Sequence, residues 1–217
     1  MCGRYNIIPD AKAWLDAFDV ALEREIFTNL TPRYNVTPSL NVPVVRIKDG
    51  KRAACMLRWG LVPSWAKDKN LAIKLINARG ETAHEKPSFR SAFMSRRCLM
   101  PASGWYEWKV ADGKKQPYAI SPAEPFAFAG LWEFWKPEGL YTCSILTTAA
   151  APSISNIHDR MPLVLQQRAD FDQWLTGSAE DAKALIKPFD GQLTASKVST
   201  RVNNPNNDDA ACLEAIA

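Results

Sequence analysis

Histidine is scarce in this sequence, with two in 217 residues, and cysteine is present without a pattern. The five cysteines, Cys2, Cys55, Cys98, Cys143 and Cys212, are odd in number and no two stand at a C-x-x-C spacing. Neither a disulfide framework nor a zinc site is read from them. There is no Gly-rich phosphate loop, no G-x-S-x-G and no H-E-x-x-H, so the common signatures of nucleotide, serine-hydrolase and zinc-protease chemistry are missing. No cofactor and no metal are expected. No apolar run approaches the ~20 residues of a membrane span, and no apolar stretch follows a basic start as in a signal peptide. The expectation is a soluble cytoplasmic protein in a reducing compartment, with no membrane partner. Internal repeats, low-complexity tracts and linker-like stretches are also missing, which points to one domain over residues 1–217.

What is present is globular in kind: 47% apolar and 23% charged residues. The net charge of +4 permits an anionic partner without demanding one. Eight tryptophans and fifteen prolines are many for this length, and together they suggest a loop-rich, β-leaning core with rings available for stacking. Cys55, Cys98 and Cys143 lie in apolar runs and read as core thiols.

Asp10 to Val20, "DAKAWLDAFDV", places Trp14, Leu15 and Phe18 on one helical face with Asp10 as cap. "VPVVRIKDGKRAACMLRWG" reads as two strands joined at Asp49-Gly50. A second hairpin is expected from "GWYEWKV" through Asp112-Gly113 to "QPYAI", with further strands in "FAFAGLWEFW" and "YTCSILTTAA". Helices are expected at Gly80–Lys86, Ser88–Met94, Ala169–Leu175 and Ala179–Ile186, the last opened by Ser178 with Glu180 and Asp181 in its first turn. Hairpin turns dominate over regular β-α alternation. That argues for class α+β, a mostly antiparallel sheet or open barrel with peripheral helices.

Several stretches are polar where a core strand would not be: "RYNVTP" (33–38) and "WGLVPSWAKD" (59–68), both loop-like, "INARGETAHE" (76–85), "GWYEWK" and "NIHDRMP". Each has a plain structural reading. Glu107 alternates with Trp105 and Lys109, so by patterning alone it faces water, with Tyr106 and Trp108 on the buried side. Trp105 would then be exposed beside it, which suits only a cleft wall. His158 taken singly reads as a structural residue or turn cap. Asn77 can be a turn former, Arg79 a surface ion pair, and Trp65 a core residue.

Cys2 changes the balance. Once Met1 is removed, it carries a thiol and a free α-amine two carbons apart. An α-amine has a pKa of about 7.7–8.0, so much of it is free base at neutral pH. It can form a Schiff base with a carbonyl, and the adjacent thiol can close on the imine carbon to give a thiazolidine. A chain that keeps Met1 has an amide there instead and cannot do this. A cysteine with a histidine partner would equally suit a thiol hydrolase, so both readings stand on the residues alone.

"MCGRY", "RYNVTP", "WGLVPSW", "INARGET", "RRCLMPASGWYEWK", "QPYAI", "AGLWE", "LTTAA" and "IHDRMPLVL" occur here in one order, with "VSTRVNN" (198–204) after them. This series resembles the SRAP family, the SOS response-associated peptidases, from Cys2 to about Leu165 and again near the end. Thr37 stands where that family commonly has alanine. The resemblance implies an abasic-site processing protein that binds single-stranded DNA and traps the ring-opened sugar aldehyde as a thiazolidine on Cys2. It implies that Asn77 holds the N-terminal amine and sugar in register, that Glu107 positions or deprotonates the amine, and that His158 moves protons. Arg4, Arg79 and Arg160 would bind flanking phosphates and Trp65 would stack on a base. Removal of Met1, autocatalytic or by an aminopeptidase, and a lyase-like strand cleavage are implied as well. Two other functions are weighed against this one: a cysteine peptidase using Cys2, His158 and Glu107, and a non-covalent single-strand binding module that leaves Cys2 idle. A monomer is expected.

Overall fold

The computed structural model describes residues 2–111, 113–123 and 125–216. In chain order it runs β1 (Tyr5–Ile7), α1 (Ala11–Phe18), α2 (Glu25–Thr28), β2 (Arg33–Val36), β3 (Asn41–Lys48), β4 (Lys51–Trp59), β5 (Asn77–Arg79), α3 (Gly80–Ala83) and α4 (Arg90–Ser95). It continues with β6 (Arg97–Ala102), β7 (Gly104–Ala111), β8 (Lys114–Pro122), β9 (Phe126–Trp135), β10 (Leu140–Ala149), β11 (Arg160–Pro162), β12 (Val164–Leu165), α5 (Arg168–Thr176), α6 (Ala179–Ala184) and β13 (Leu193–Lys197). Short 3₁₀ turns fill several of the connections. The class is α+β, mostly sheet with few helices, as the hairpin-rich sequence predicts.

Local chemistry accounts for the elements that begin cleanly. Asp10 accepts from the Ala13 N–H and opens α1, which buries Trp14, Leu15 and Phe18. Ser178 and Asp181 form a reciprocal capping box at α6. Asp49 and Gly50 both take positive φ, 51° and 73°, and join β3 to β4 with Lys48 opposite Lys51. The second hairpin pairs Ala111 with Lys114, while Asp112 of its expected turn lies outside the described residues. The helices expected at 80–86 and 88–94 are shorter than their patterns, at Gly80–Ala83 and Arg90–Ser95. "RYNVTP", expected as loop, contains the strand β2, because its backbone pairs antiparallel with β1.

Two sheets result. One has the order β13-β8-β7-β1-β2. The other runs β11-β10-β4-β3-β6-β9-β12, with β5 added alongside β10 and with β9 also pairing β10, so that it is strongly curled. Its pairings are antiparallel except for the two that β10 makes with β4 and β5. A large core fills the space between the sheets, with Tyr5 making edge-on contacts to Trp59 and Phe128 at 5.2 and 5.6 Å. Cys98 and Cys143 are fully buried there and Cys55 is half-buried. No helix among the described residues is long and apolar enough to cross a membrane.

Candidate active site

The register of β1 against β7, with Tyr5 opposite Trp105, brings the first described residues alongside Glu107. The Tyr106 N–H donates to Arg4 O at 3.0 Å and continues that pairing outward. Cys2 is fully buried, its thiol donates to Arg4 O at 3.7 Å, and Asn77 Nδ2 donates to its carbonyl at 2.8 Å. Asn77 can reach it because β5 lies parallel to β10, with Asn77 level with Ile145. Burial, and secondarily the charge of Glu107, push the Cys2 thiol well above the usual range.

Glu107 does not face water. It is 2% exposed, and Trp105 and Tyr106 beside it are fully buried, so the alternation expected from the sequence is overturned. A strand of this kind is covered on both sides. The Tyr106 side contacts the C-terminal segment through Val198, Val202 and Cys212, and the Glu107 side faces His158. Burial raises the Glu107 carboxyl to about 7.

His158 Nε2 stands 3.9 Å from Glu107 Oε2. The other ring nitrogen, Nδ1, accepts from the Arg160 N–H at 2.9 Å, with Asp159 Oδ1 at 2.9 Å from the same atom. Burial lowers the imidazole pKa, so near neutrality the ring is uncharged, with its proton on Nε2 toward Glu107. Glu107 and His158 open onto a cavity of about 480 Å³ whose remaining walls are Trp108, Val110, Lys115 and Asn203.

The structure therefore brings Cys2, Asn77, Glu107 and His158 together. The four residues expected to bind DNA are placed differently from one another. Arg79 is exposed and shares a face of β5 with Asn77, roughly 7 Å along the strand. Trp65 is 59% exposed, steadied by its indole N–H to Pro87 O at 3.3 Å, and so is not the core residue its plain reading suggests. Arg4 is turned away into the fold: it donates to Asn35 Oδ1 at 2.8 Å, Val202 O at 2.6 Å and Asn203 O at 3.3 Å. Arg160 is gripped by both carboxylate oxygens of Glu81 at 2.6 and 2.8 Å.

A model of the SOS response associated peptidase (SRAP) family matches residues 1–205 of this chain. The chain belongs to the SRAP family. Within it, the chain is 41% identical to the abasic site processing protein YoqW of Bacillus subtilis, covering 99% of each. It is 34% identical to the abasic site processing protein HMCES of Xenopus tropicalis, covering 85% of this chain and 66% of that one. A crystal structure of a protein from Bacteroides thetaiotaomicron has the same fold, with a TM-score of 0.85 at 26% identity over the full length of both.

Sequence reading missed Asn35, Asp208 and Asn203, and it noted Glu81 only as a polar residue alternating with Asn77 and Arg79, without a role. Asp208 accepts from the Tyr34 and Asn35 N–H groups at 2.5 and 2.9 Å and pairs with Arg33. Asn203 Oδ1 accepts from the Trp108 indole at 2.7 Å. The only signal for Asn35 and Asn203 was their place within the SRAP stretches "RYNVTP" and "VSTRVNN", since neither alters a periodicity, and Asp208 lies beyond the last of these stretches and had none.

Proposed function

We propose that this protein handles abasic sites in DNA by capturing them on Cys2 in single-stranded substrate. The observation that carries the reading is the placement of Cys2 between Asn77 and a buried Glu107 whose carboxyl ionises near pH 7, in a chain of the SRAP family. The reading requires Cys2 to bear the chain's free α-amine, which loss of Met1 supplies; Met1 itself lies outside the described residues.

The steps balance without any cofactor. The α-amine adds to the C1′ aldehyde of the ring-opened sugar, and loss of water gives the imine. The Cys2 S–H then adds across it: sulfur bonds to carbon, and the thiol proton passes through Glu107 to the nitrogen. The product is a thiazolidine. A carboxyl with a pKa near 7 can take and return protons at neutral pH, as general acid–base catalysis requires. His158, with its proton on Nε2, can donate to the departing sugar oxygen. Asn77 holds the Cys2 carbonyl and with it the reacting nitrogen. An imine that does not close favours β-elimination of the 3′ phosphate, so strand cleavage competes with capture.

Arg79 and Trp65 suit the strand on either side of the lesion. A guanidinium with no ion pair among the described residues is open to phosphate, and an exposed indole is a stacking platform that tolerates any base. The cysteine-peptidase reading fits less well: a thiol kept protonated by burial and donating to Arg4 O is not the thiolate such an enzyme uses.

The test is a denaturing gel of protein beginning at Cys2, mixed with a single-stranded oligonucleotide carrying one abasic site. A slow band that survives denaturation and vanishes in Cys2→Ala is expected, with binding to undamaged single strand retained. No band from the processed protein would overturn the reading.

A further inference from the structure

His158 Nδ1 is claimed by two neighbours that demand opposite protonation. The Arg160 N–H donates to it at 2.9 Å, which needs a lone pair there. Asp159 Oδ1, at 2.9 Å from the same nitrogen, can bond it only if it carries a proton. In a neutral ring the two outcomes reverse Nε2 as well. With Arg160 as donor, Nε2 presents N–H toward Glu107 Oε2 at 3.9 Å. With Asp159 as acceptor, Nε2 would turn a bare lone pair toward that carboxylate and could donate to nothing.

Which neighbour wins depends on how firmly the Arg160 backbone is held. Its side chain is 12% exposed. The guanidinium is forked onto Glu81 at 2.6 and 2.8 Å, and Nη2 also donates to Thr147 O at 2.8 Å. A planar fork tied to a carboxylate by two charge-assisted bonds is the stiffest anchor a side chain offers. Glu81 is within reach only because α3 begins at Gly80, which lies so close to β10 that a Cβ there would come within 3.2 Å of Thr147 O. The Glu81 carboxyl is held below the usual range by the Arg160 hydrogen bonds, so it stays ionised and keeps its grip near neutrality.

The geometry points to Glu81 as a positioning residue for His158: its clamp on Arg160 keeps the His158 proton on Nε2. This rests on the reading of His158 as a proton donor in abasic-site capture and assigns Glu81 a part in it.

Two full-length variants test it, Glu81→Gln and Arg160→Lys. A glutamine oxygen can accept from one guanidinium nitrogen, but its amide opposes the other; a lysine cannot span both carboxylate oxygens. In the free protein, ¹⁵N-resolved spectra of the His158 ring, assigned with a His158→Gln reference, are expected to shift from the Nε2–H toward the Nδ1–H tautomer. Adduct formation at saturating abasic DNA is expected to slow about tenfold or more in Glu81→Gln, since a positioned proton-transfer group contributes roughly 10²–10⁴-fold. That loss should fall on the rate and not on DNA affinity. An unchanged tautomer in both variants would overturn the inference, as would a loss carried by weaker DNA binding. If the wild-type protein forms no adduct at all, the capture reading fails, while the ring spectra still decide whether Glu81 sets the tautomer.

Discussion

A carboxyl group that is 2% exposed and ionises near pH 7 weakens the fold whenever it is charged. Between its ordinary 4.5 and about 7 the folded chain keeps a proton on Glu107 that the unfolded chain has released. Stability is therefore complete below the lower value and lost as pH rises through the window. At 1.36 kcal/mol per pH unit the whole loss is roughly 3 kcal/mol. Glu107→Gln removes the titration, so its melting temperature should gain on the wild type as pH is raised from 4.5 to 8, while adduct formation becomes slower. Equal pH profiles for the two proteins would mean that Glu107 titrates as an ordinary exposed acid. At this scale the sequence was informative where chemistry alone decides. Cys2 was legible as a candidate reagent from its residue type and from the stretch "MCGRY" around it. The burial of Glu107 was not legible from patterning, because alternation along β7 reports one covered face and the second is covered by His158, some 50 positions away.

Elements with their own start signals could be read directly. Asp10, Ser178 and Asp49-Gly50 each satisfy or shape the backbone within a few residues, so no distant partner is needed to place α1, α6 or the β3–β4 turn. β5 has no such signal. It is three residues long, and it is a strand only because β10 lies parallel beside it. Its close seating continues into α3, where a Cβ on Gly80 would stand 2.7 Å from Ile186 Cγ2 and 3.2 Å from Thr147 O. Ile186 can turn aside; the Thr147 carbonyl, part of the β10 ladder, has less freedom. Gly80→Ala should therefore cost about 1–3 kcal/mol as overpacking does, read from the midpoint of urea unfolding. It should also slow adduct formation, since Asn77 and Glu81 flank the displaced segment. A midpoint at or above that of the wild type would show that β10 yields freely.

Across the whole molecule, one side chain does much to join distant parts. Asn35 Nδ2 lies 3.2, 3.1 and 2.7 Å from the carbonyls of Val202, Asn204 and Asn207, its Oδ1 accepts from Arg4, and it is 1% exposed. Asn35→Ala leaves these groups without their partner, a loss of about 1–3 kcal/mol for a buried hydrogen-bonding group, measurable as a lowered melting temperature. Because the same segment carries Asn203 into the cavity wall, adduct formation should fall with it; an unaltered melting temperature would show that water replaces the amide. The contact from Arg4 to Val202 spans 198 positions, and this fixes an order of events during synthesis. At roughly 5–20 residues per second, the ribosome needs about 10–40 seconds after Arg4 to reach Val202. For that interval the Arg4 guanidinium lacks the Val202 and Asn203 carbonyls, and the segment that carries Cys2 is held only by partners made earlier, Asn77 and the β7 strand.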